Sequence, residues 1–134
     1  MAIKLKSASY GPAIAAINDN GELLFGTEKD NLSAVPAMDS PAMTLLYSVA
    51  SCMVLSLQMV AKRKKIDINP FSFDVIAHKG TELPMHFARY EIALSAGVHE
   101  DIEVAEKLLK DAKSICTISN SLSGTFELSL RGKE

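Results

Sequence analysis

The sequence predicts an α+β domain in which mostly antiparallel strands and an amphipathic helix surround a long, buried central helix. Three observations predict this class. Residues 40–65 are apolar with no charge before Lys62, the segments on both sides alternate between apolar and polar residues, and residues 102–115 repeat with helical period. Strands, an apolar helix, strands, an amphipathic helix and a final strand make an α+β domain. At 134 residues, we expect the chain 1–134 to be a single domain that buries roughly two thirds of its unfolded surface.

The N-terminal residues predict three strands and a loop. Residues 3–6 alternate between apolar side chains and lysines, which is typical of a strand with one solvent-exposed face. The runs 12–17 and 22–25 flank residues 18–21, whose sequence Asn-Asp-Asn-Gly tolerates positive φ, so we expect a hairpin. Residues 26–39 are polar and contain turn formers, which predicts a loop leading to the central helix.

The central helix has its own start and stop signals. Ser40 is a candidate N-cap, and Pro41 fits the first helical position. The cations of residues 62–65 complement the C-terminal end of the helix dipole. We therefore predict one long helix over residues 40–65, with Cys52 near its middle.

The burial of this helix limits what the protein can be. An uncharged run of this length could cross a bilayer, with the basic cluster as its anchor. Its apolar character is diluted, however, by the polar side chains of Thr44, Ser48, Ser51, Ser56 and Gln58. A helix that is apolar on nearly every side otherwise belongs in a core, including a core shared between subunits. We therefore expect a homodimer with this helix at its centre and no membrane partner.

The C-terminal half predicts two strands, a helix and a last strand. Residues 71–78 and 88–94 alternate with a period of two on either side of a turn at Lys79 and Gly80. From Glu100 the period becomes helical, with acidic residues in the first turns and lysines in the last. A polar turn at residues 119–121 and a closing strand over 125–130 complete the prediction.

The overall charge excludes some partners. The net charge is −2 with both signs interspersed, so we expect no nucleic-acid partner and no binding to a membrane surface. The N-terminus has no apolar segment followed by a small-residue cleavage site, so we expect a cytoplasmic protein. In that compartment both cysteines are expected to be reduced thiols.

The two cysteines are the candidate reactive residues. Cys52 lies in mid-helix among apolar residues, far from the helix N-terminus, which by itself favours a buried structural thiol of low reactivity. Cys116 lies where the amphipathic helix meets a polar turn, so we expect it to be partly exposed. Their spacing matches neither a CxxC motif nor a compact metal-binding pattern.

Other kinds of chemistry have less support in the sequence. His78, His86 and His99 have no carboxylate or thiol at ligand spacing, so we interpret them as solvated surface residues and expect no metal site. The sequence lacks the signatures of common hydrolases, zinc proteases, NTPases and dinucleotide-binding proteins. Thiol chemistry is the candidate that remains.

The order of these features resembles the OsmC/Ohr family. A Ser-Pro pair at residues 40–41 and Cys52 lie on the long apolar helix, and Cys116 opens a C-x-x-S-N-x-L stretch after the amphipathic helix. The resemblance extends over nearly the whole chain, and this pairing of two cysteines is its most specific part. It implies an intertwined α+β homodimer that reduces organic hydroperoxides, and hydrogen peroxide as well, with two thiols.

By this resemblance Cys52 corresponds to the peroxidatic cysteine and Cys116 to the resolving one. A Cys52 thiolate would attack the peroxide O–O bond, and Cys116 would condense with the resulting sulfenic acid to a disulfide that an external dithiol reduces. An apolar pocket beside the helix would favour alkyl hydroperoxides over hydrogen peroxide. This chemistry requires no metal and no organic cofactor.

Several positions depart from the family's pattern. Ala42 and Met43 stand where the family commonly has a glutamate after the Ser-Pro pair, Thr117 replaces a proline, and the first arginine is Arg63. The family's N-terminal arginine holds the first cysteine as a thiolate. The candidate replacements in this sequence are Lys4, Lys6 and Arg89.

These departures leave other interpretations open. The second is a dimer of the same fold that has lost its activating residues, binds a small apolar ligand in the same pocket and keeps its thiols as slow redox sensors or as part of the core. The third is a structural subunit of a larger assembly.

Overall fold

The computed structural model describes residues 5–132. Within them, five strands and three helices follow one another along the chain. The strands are β1 (Ser9–Ile17), β2 (Leu23–Gly26), β3 (Phe71–Lys79), β4 (Phe87–Ser95) and β5 (Thr125–Arg131). The helices are α1 (Pro41–Lys64), α2 (Ile102–Ile115) and the four-residue α3 (Thr117–Asn120), and a 3₁₀ turn at Ala96–Val98 precedes α2. The predicted α+β class, central helix and amphipathic helix are confirmed.

The strands form one mixed sheet in the order β2-β1-β3-β4-β5. The pairings β1–β2, β1–β3 and β3–β4 are antiparallel, as the sequence predicts. In contrast, β5 runs parallel to β4. A parallel neighbour can be reached only through a crossover connection, and here that connection contains α2.

The ends of α1 are fixed by the residues that the sequence indicates. The Ser40 hydroxyl accepts a hydrogen bond of 3.3 Å from the backbone N–H of Met43, and Pro41 begins the helix. At the other end, Lys65 adopts a left-handed conformation with φ of 57°, and its N–H bonds to carbonyls of the last turn. These caps satisfy backbone groups that a helix end otherwise leaves without partners.

The hydrophobic core lies between one face of the sheet and the two long helices. Leu46, Met53 and Leu57 of α1 belong to the same buried cluster as Phe73 of β3 and Ile92 of β4. The amphipathic helix α2 contributes four buried side chains to this cluster, namely Ala105, Leu108, Leu109 and Ala112. Each of the two helices therefore buries one side against the sheet or the other helix.

The opposite face of the sheet carries polar pairs across β3, β4 and β5. Arg131 of β5 donates a hydrogen bond to Asp74 of β3 at 3.0 Å, and Arg89 of β4 donates to Glu127 of β5 at 2.9 Å. His78 of β3 also pairs with a carboxylate of β4 on this face. These cross-strand pairs account for the alternation of polar residues along the strands.

Length and composition alone would allow α1 to cross a membrane. Half of its most apolar segment, however, is buried within the fold of the chain itself. α1 therefore serves as the core helix of a soluble domain.

The predicted strand at residues 3–6 is wrong where the structure describes it. Residues 3 and 4 lie outside the described residues, and Leu5 and Lys6 are not in a strand. The Leu5 N–H bonds instead to the Thr81 carbonyl, in the connection between β3 and β4, at 2.8 Å. Because β3 ends at Lys79, these residues lie beyond the end of their neighbouring strand.

The predicted polar turn at residues 119–121 also differs from the structure, which has the short helix α3 there. The Ser121 hydroxyl donates to the Thr117 carbonyl at 2.8 Å, and the Ser119 hydroxyl donates to the Cys116 carbonyl at 3.3 Å. Serine hydroxyls that bond to carbonyls three or four residues earlier satisfy acceptors of a helical turn. The same polar residues that indicate a turn therefore support one turn of helix.

We expect Leu57→Ala to lower the free energy of unfolding by about 2 to 5 kcal/mol, because the substitution opens a cavity under a side chain with no exposed surface. Urea denaturation followed by circular dichroism measures this change. Leu83→Ala is the control, since Leu83 is 55% exposed and its truncation should change stability by less than about 0.5 kcal/mol. Equal losses in the two variants would contradict the packing described here.

Candidate active site

One stripe of α1 is not covered by the chain itself. Ser48, Cys52, Leu55 and Met59 follow one another at intervals of three or four residues, so they lie on one side of the helix. Leu55 is 54% exposed and Met59 is 48% exposed, although both are large apolar side chains. Cys52 itself is half-buried. The central helix therefore presents its cysteine on an apolar, accessible surface.

This stripe forms one wall of a groove of about 480 Å³. The second wall comes from the junction of α2 and α3, where Ile115 and Ile118 are each more than one third exposed. Every described residue that lines the groove is uncharged, and the polar ones are serines, a threonine and the Cys52 thiol. The groove therefore suits an apolar or weakly polar molecule.

Cys116 lies behind this groove and has no exposed surface. Its backbone ends α2 and begins α3, and its side chain belongs to the hydrophobic core. Cys52 lies near enough to the Cys116 thiol to influence its pKa. The fold thus brings together two free thiols from distant parts of the sequence.

Burial raises the pKa of the Cys116 thiol above its ordinary value. Hydrogen bonds from the Ser119 hydroxyl and the Ser119 backbone N–H act in the opposite direction, because they stabilise the thiolate. The adjacent Cys52 thiol adds to the rise. Burial is the largest of these effects, so Cys116 holds its proton more tightly than a free cysteine does.

The residues after Cys116 fix the position of its backbone. The Asn120 side chain donates to the Ser114 carbonyl at 3.1 Å and accepts from the Lys113 ammonium at 2.6 Å. Lys113 also lies 4.6 Å from the centroid of the Phe126 ring on β5. Asn120 therefore joins the end of α2 to α3 and holds the turn that carries Cys116.

The exposures of the two cysteines are the reverse of the predicted ones. The prediction that Cys116 is partly exposed is wrong, because α3 folds back against α1 and covers its side chain. Cys52, which its sequence surroundings favour as a buried thiol, lies instead on the uncovered stripe. Ser119 is fully buried beside Cys116, and although it belongs to the C-x-x-S-N-x-L stretch, its spacing alone does not indicate a role for its hydroxyl.

The candidate cations lie elsewhere in the chain. Arg89 pairs with Glu127 at 2.9 Å and with Glu91 at 3.5 Å on the polar face of the sheet, away from the helices. Lys6 is exposed and does not line the groove, and Lys4 lies outside the described residues. The chain's own described residues thus supply no cation to the wall of the groove.

Ala42 and Met43, the residues at the family's usual glutamate position, lie in the first turn of α1. Ala42 lines a separate cavity of about 330 Å³, together with Lys79 and His86 near the turn between β3 and β4. Within one chain, this cavity and the Cys52 groove share no lining residue.

The three histidines make local contacts outside the groove. His78 pairs with Glu91 and Ser9, the His86 ring is 2.6 Å from the Pro84 carbonyl, and His99 accepts a hydrogen bond from the Asp101 N–H at 3.0 Å. Among residues 5–132, no group of three or more His, Cys, Asp or Glu side chains could hold a metal ion.

Comparisons with known proteins agree with this architecture. The family described as OsmC-like protein matches residues 39–131. An organic hydroperoxide resistance protein from Legionella pneumophila has a TM-score of 0.61 and 18% identity, with 90% of this chain and 96% of that chain covered. For OhrB of Bacillus subtilis, an organic hydroperoxide resistance protein, the TM-score is 0.56 and the identity 18%, over 94% and 96% of the two chains.

An OsmC-like protein from Mycoplasma pneumoniae is similar as well, with a TM-score of 0.56 and 16% identity over 90% of this chain and 97% of that chain. A comparison with curated proteins gives no match. At these identities the solved structures show a shared fold.

We expect the free energy of unfolding to fall with rising pH in the window just above about pH 8.5, partly because of Cys116. Above its ordinary pKa of about 8.5 the unfolded chain loses the Cys116 proton, whereas the folded chain, in which burial raises this pKa, keeps it. The free energy of unfolding therefore falls as the pH rises, because the unfolded state binds fewer protons than the folded state. Tyr47 and Tyr90, whose pKa values are also raised by burial, titrate above this window.

Urea unfolding at several pH values measures the slope, to which one group can contribute at most about 1.4 kcal/mol per pH unit. Cys116→Ala should make the slope shallower, whereas Cys52→Ser should retain most of it because burial is the main cause of the shift. An unchanged slope in Cys116→Ala would show that this thiol is not protected in the folded chain.

Proposed function

We propose that this chain, which belongs to the OsmC-like family, is a thiol-dependent peroxidase that reduces organic hydroperoxides. Some of its structural neighbours are named organic hydroperoxide resistance proteins. The observation that carries the proposal is that the fold brings the Cys116 thiol near Cys52, which lines an apolar groove. Two neighbouring thiols can supply the two electrons that a peroxide takes up.

The first step takes place at Cys52, the accessible thiol. Its thiolate attacks one peroxide oxygen, so that an S–O bond forms and the O–O bond breaks. The alkoxide that leaves takes a proton and becomes an alcohol, and Cys52 becomes a sulfenic acid. The half-buried position of Cys52 allows a peroxide to reach it from the groove.

The second step takes place between the two cysteines. The Cys116 sulfur attacks the sulfur of the sulfenic acid, an S–S bond forms, and the oxygen leaves as water. Cys116 lies near Cys52 in the folded chain, which favours this step. An external dithiol then reduces the disulfide and is itself oxidised.

The lining of the groove favours one class of substrate. Leu55, Met59, Ile115 and Ile118 offer apolar surface next to Cys52. Transfer of an alkyl or aryl group from water to such a surface lowers the free energy by about 25 cal/mol per Å² of apolar area buried. Hydrogen peroxide has no such group, so we infer that organic hydroperoxides are the preferred substrates.

We expect the protein to reduce cumene hydroperoxide in the presence of dithiothreitol, and Cys52→Ser to lower the rate to that of the uncatalysed reaction. Without dithiothreitol, reduced Cys116→Ser should consume one equivalent of peroxide, because Cys52 can be oxidised once to the sulfenic acid without its partner. Stopped-flow measurement of peroxide consumption checks both outcomes. A wild-type rate no faster than that of Cys52→Ser would refute the proposed peroxidase activity.

A second candidate function is favoured by one observation, the uncharged lining of the groove. A thiolate in an apolar site needs a cation or hydrogen-bond donors to stabilise it. Without them, the groove would bind a small apolar ligand and Cys52 would react with peroxide only slowly, as a redox sensor. In this case a fluorescent apolar probe would bind in the groove, whereas peroxide would be consumed no faster than by a free cysteine.

We propose further that the protein is a homodimer in which the stripe of Ser48, Cys52, Leu55 and Met59 faces the same stripe of a second copy. This arrangement would remove two exposed apolar side chains of α1 from water in each copy. A two-fold interface places one surface against itself, so a single apolar stripe is sufficient to form it. The second copy would then also form a further wall of the groove beside Cys52.

We expect light scattering to give twice the chain mass of 14.5 kDa, and Leu55→Lys to give a single chain mass. The introduced ammonium group would have to lose its water in the interface, which costs several kcal/mol when it is unpaired. Thr125→Lys, an exposed site on the sheet, is the matched control and should remain dimeric. A wild-type mass near 14.5 kDa would contradict the proposed dimer.

We also propose that the protein acts in the cytoplasm, where small dithiols and thiol proteins keep cysteines reduced. The proposed catalytic cycle requires such a supply of thiols, because each turnover consumes two electrons.

A further inference from the structure

The two sulfurs of the proposed disulfide differ in access. Cys52 lines the groove, whereas Cys116 is fully buried behind it. Its chain neighbours Ile115 and Thr117 both line the groove, but the Cys116 side chain turns away from it into the core. A molecule that enters the groove therefore meets the Cys52 sulfur and does not reach the Cys116 sulfur.

We propose that the reducing dithiol attacks the Cys52 sulfur, that Cys116 is the leaving thiolate, and that Ser119 is the residue that positions and stabilises this thiolate. The inference rests on the proposed function, because it concerns the disulfide that the peroxide reaction produces. It names the direction of disulfide reduction and one positioning residue.

The exchange transfers two electrons from the dithiol to the protein disulfide. One thiolate of the dithiol forms an S–S bond to Cys52, and the bond between Cys52 and Cys116 breaks, so that Cys116 leaves as a thiolate. The second thiol of the dithiol then attacks the dithiol's first sulfur, which is bonded to Cys52 in this mixed disulfide. The Cys52 thiolate is released, and the dithiol is left as an internal disulfide. The two electrons come from the dithiol, and Cys116 takes up a proton.

Two effects compete in this exchange. Thiols with a low pKa leave faster, and burial raises the pKa of Cys116, so leaving-group chemistry alone disfavours its departure. Access acts in the other direction, because attack on Cys116 would need an attacking sulfur in line with the S–S bond, inside the hydrophobic core. A change in leaving-group pKa alters a rate by a limited factor, whereas a sulfur with no exposed surface cannot be approached in the folded state. The difference in exposure of the two sulfurs therefore determines that the dithiol attacks Cys52.

Ser119 reduces the disadvantage of Cys116 as a leaving group. Its side chain is fully buried, and both its hydroxyl and its backbone N–H can donate to the Cys116 sulfur. The hydroxyl oxygen also lies 3.3 Å from the Cys116 carbonyl oxygen. Rotation of the hydroxyl about its C–O bond would direct its proton to either the carbonyl oxygen or the Cys116 sulfur. Donors placed at the leaving sulfur stabilise the charge that develops there.

Trapping of the mixed disulfide tests the direction of attack. The wild-type protein is oxidised to its internal disulfide with diamide, treated briefly with 2-mercaptoethanol, quenched with N-ethylmaleimide and digested for peptide mass mapping. We expect 2-mercaptoethanol on Cys52 and N-ethylmaleimide on Cys116 in at least about nine of ten trapped molecules. Adducts mainly on Cys116, equal adducts on both cysteines, or no internal disulfide at all would overturn the proposal.

The role of Ser119 is tested by Ser119→Ala, with Ser121→Ala as the control from the same turn. Loss of one hydrogen bond to the leaving sulfur should slow disulfide reduction by dithiothreitol roughly threefold to tenfold. In a Cys52→Ser background, the ultraviolet absorbance of the Cys116 thiolate should titrate at higher pH in Ser119→Ala than with Ser119 intact. Ser121→Ala, whose hydroxyl bonds to the Thr117 carbonyl, should change neither quantity.

These measurements distinguish a positioning role from a structural one. If Ser119→Ala only loosened the turn, Cys116 would become more exposed and would titrate at lower pH, which would overturn the assigned role. The exchange measurements begin from a disulfide formed with diamide, and the titration uses the reduced Cys52→Ser protein, so none of them depends on peroxide turnover. A protein that shows the expected exchange but does not reduce cumene hydroperoxide would refute the proposed peroxidase activity and leave this inference intact.

Discussion

The burial of α1, which carries no charged residue before Lys62, is the constraint on which the rest of the structure depends. α1 buries one side against the sheet and another against α2, and the polar groups of its ends are capped by Ser40 and Lys65. One sheet and one helix cannot surround it, so a stripe with Leu55 and Met59 remains open. The same shortage of covering surface that exposes this apolar stripe also exposes Cys52, and it leaves room for a groove.

The parallel pairing of β4 and β5 has a direct effect on this groove. Because a parallel neighbour requires a crossover, the chain must pass over the helical layer before it returns to the sheet. α2 makes this crossing beside α1, and its end places Cys116 next to Cys52. The proximity of two thiols that are far apart in sequence is thus a consequence of the sheet topology.

The sequence was sufficient to predict elements whose signals are local. The N-cap at Ser40, the hairpin turn after Ile17 and the apolar face of α2 depend on neighbouring residues, and all three agree with the structure. The exposures of Cys52 and Cys116 depend instead on which elements lie above them. The apolar run around Cys52 indicates burial only if every side of the helix is covered, and the polar turn after Cys116 indicates exposure only if it does not fold back. The spacing of residues does not show whether α1 is covered on every side or whether the segment after Cys116 folds back. In the structure α1 is uncovered on one side, and the segment after Cys116 does fold back.

The groove also shows why the fold and the activity are separate questions. Apolar walls favour the uptake of an organic hydroperoxide, but they stabilise an ionised sulfur poorly, because a charge in an apolar site needs a partner. The described residues of one chain place Arg89 among carboxylates on the far face of the sheet, so it cannot serve this purpose without leaving Glu127 and Glu91. The uncovered side of the groove is the side on which a second copy would lie. If the proposed dimer forms, that interface is where a donor from the second copy would meet Cys52, and burial of the stripe and activation of the thiol would then depend on the same contact.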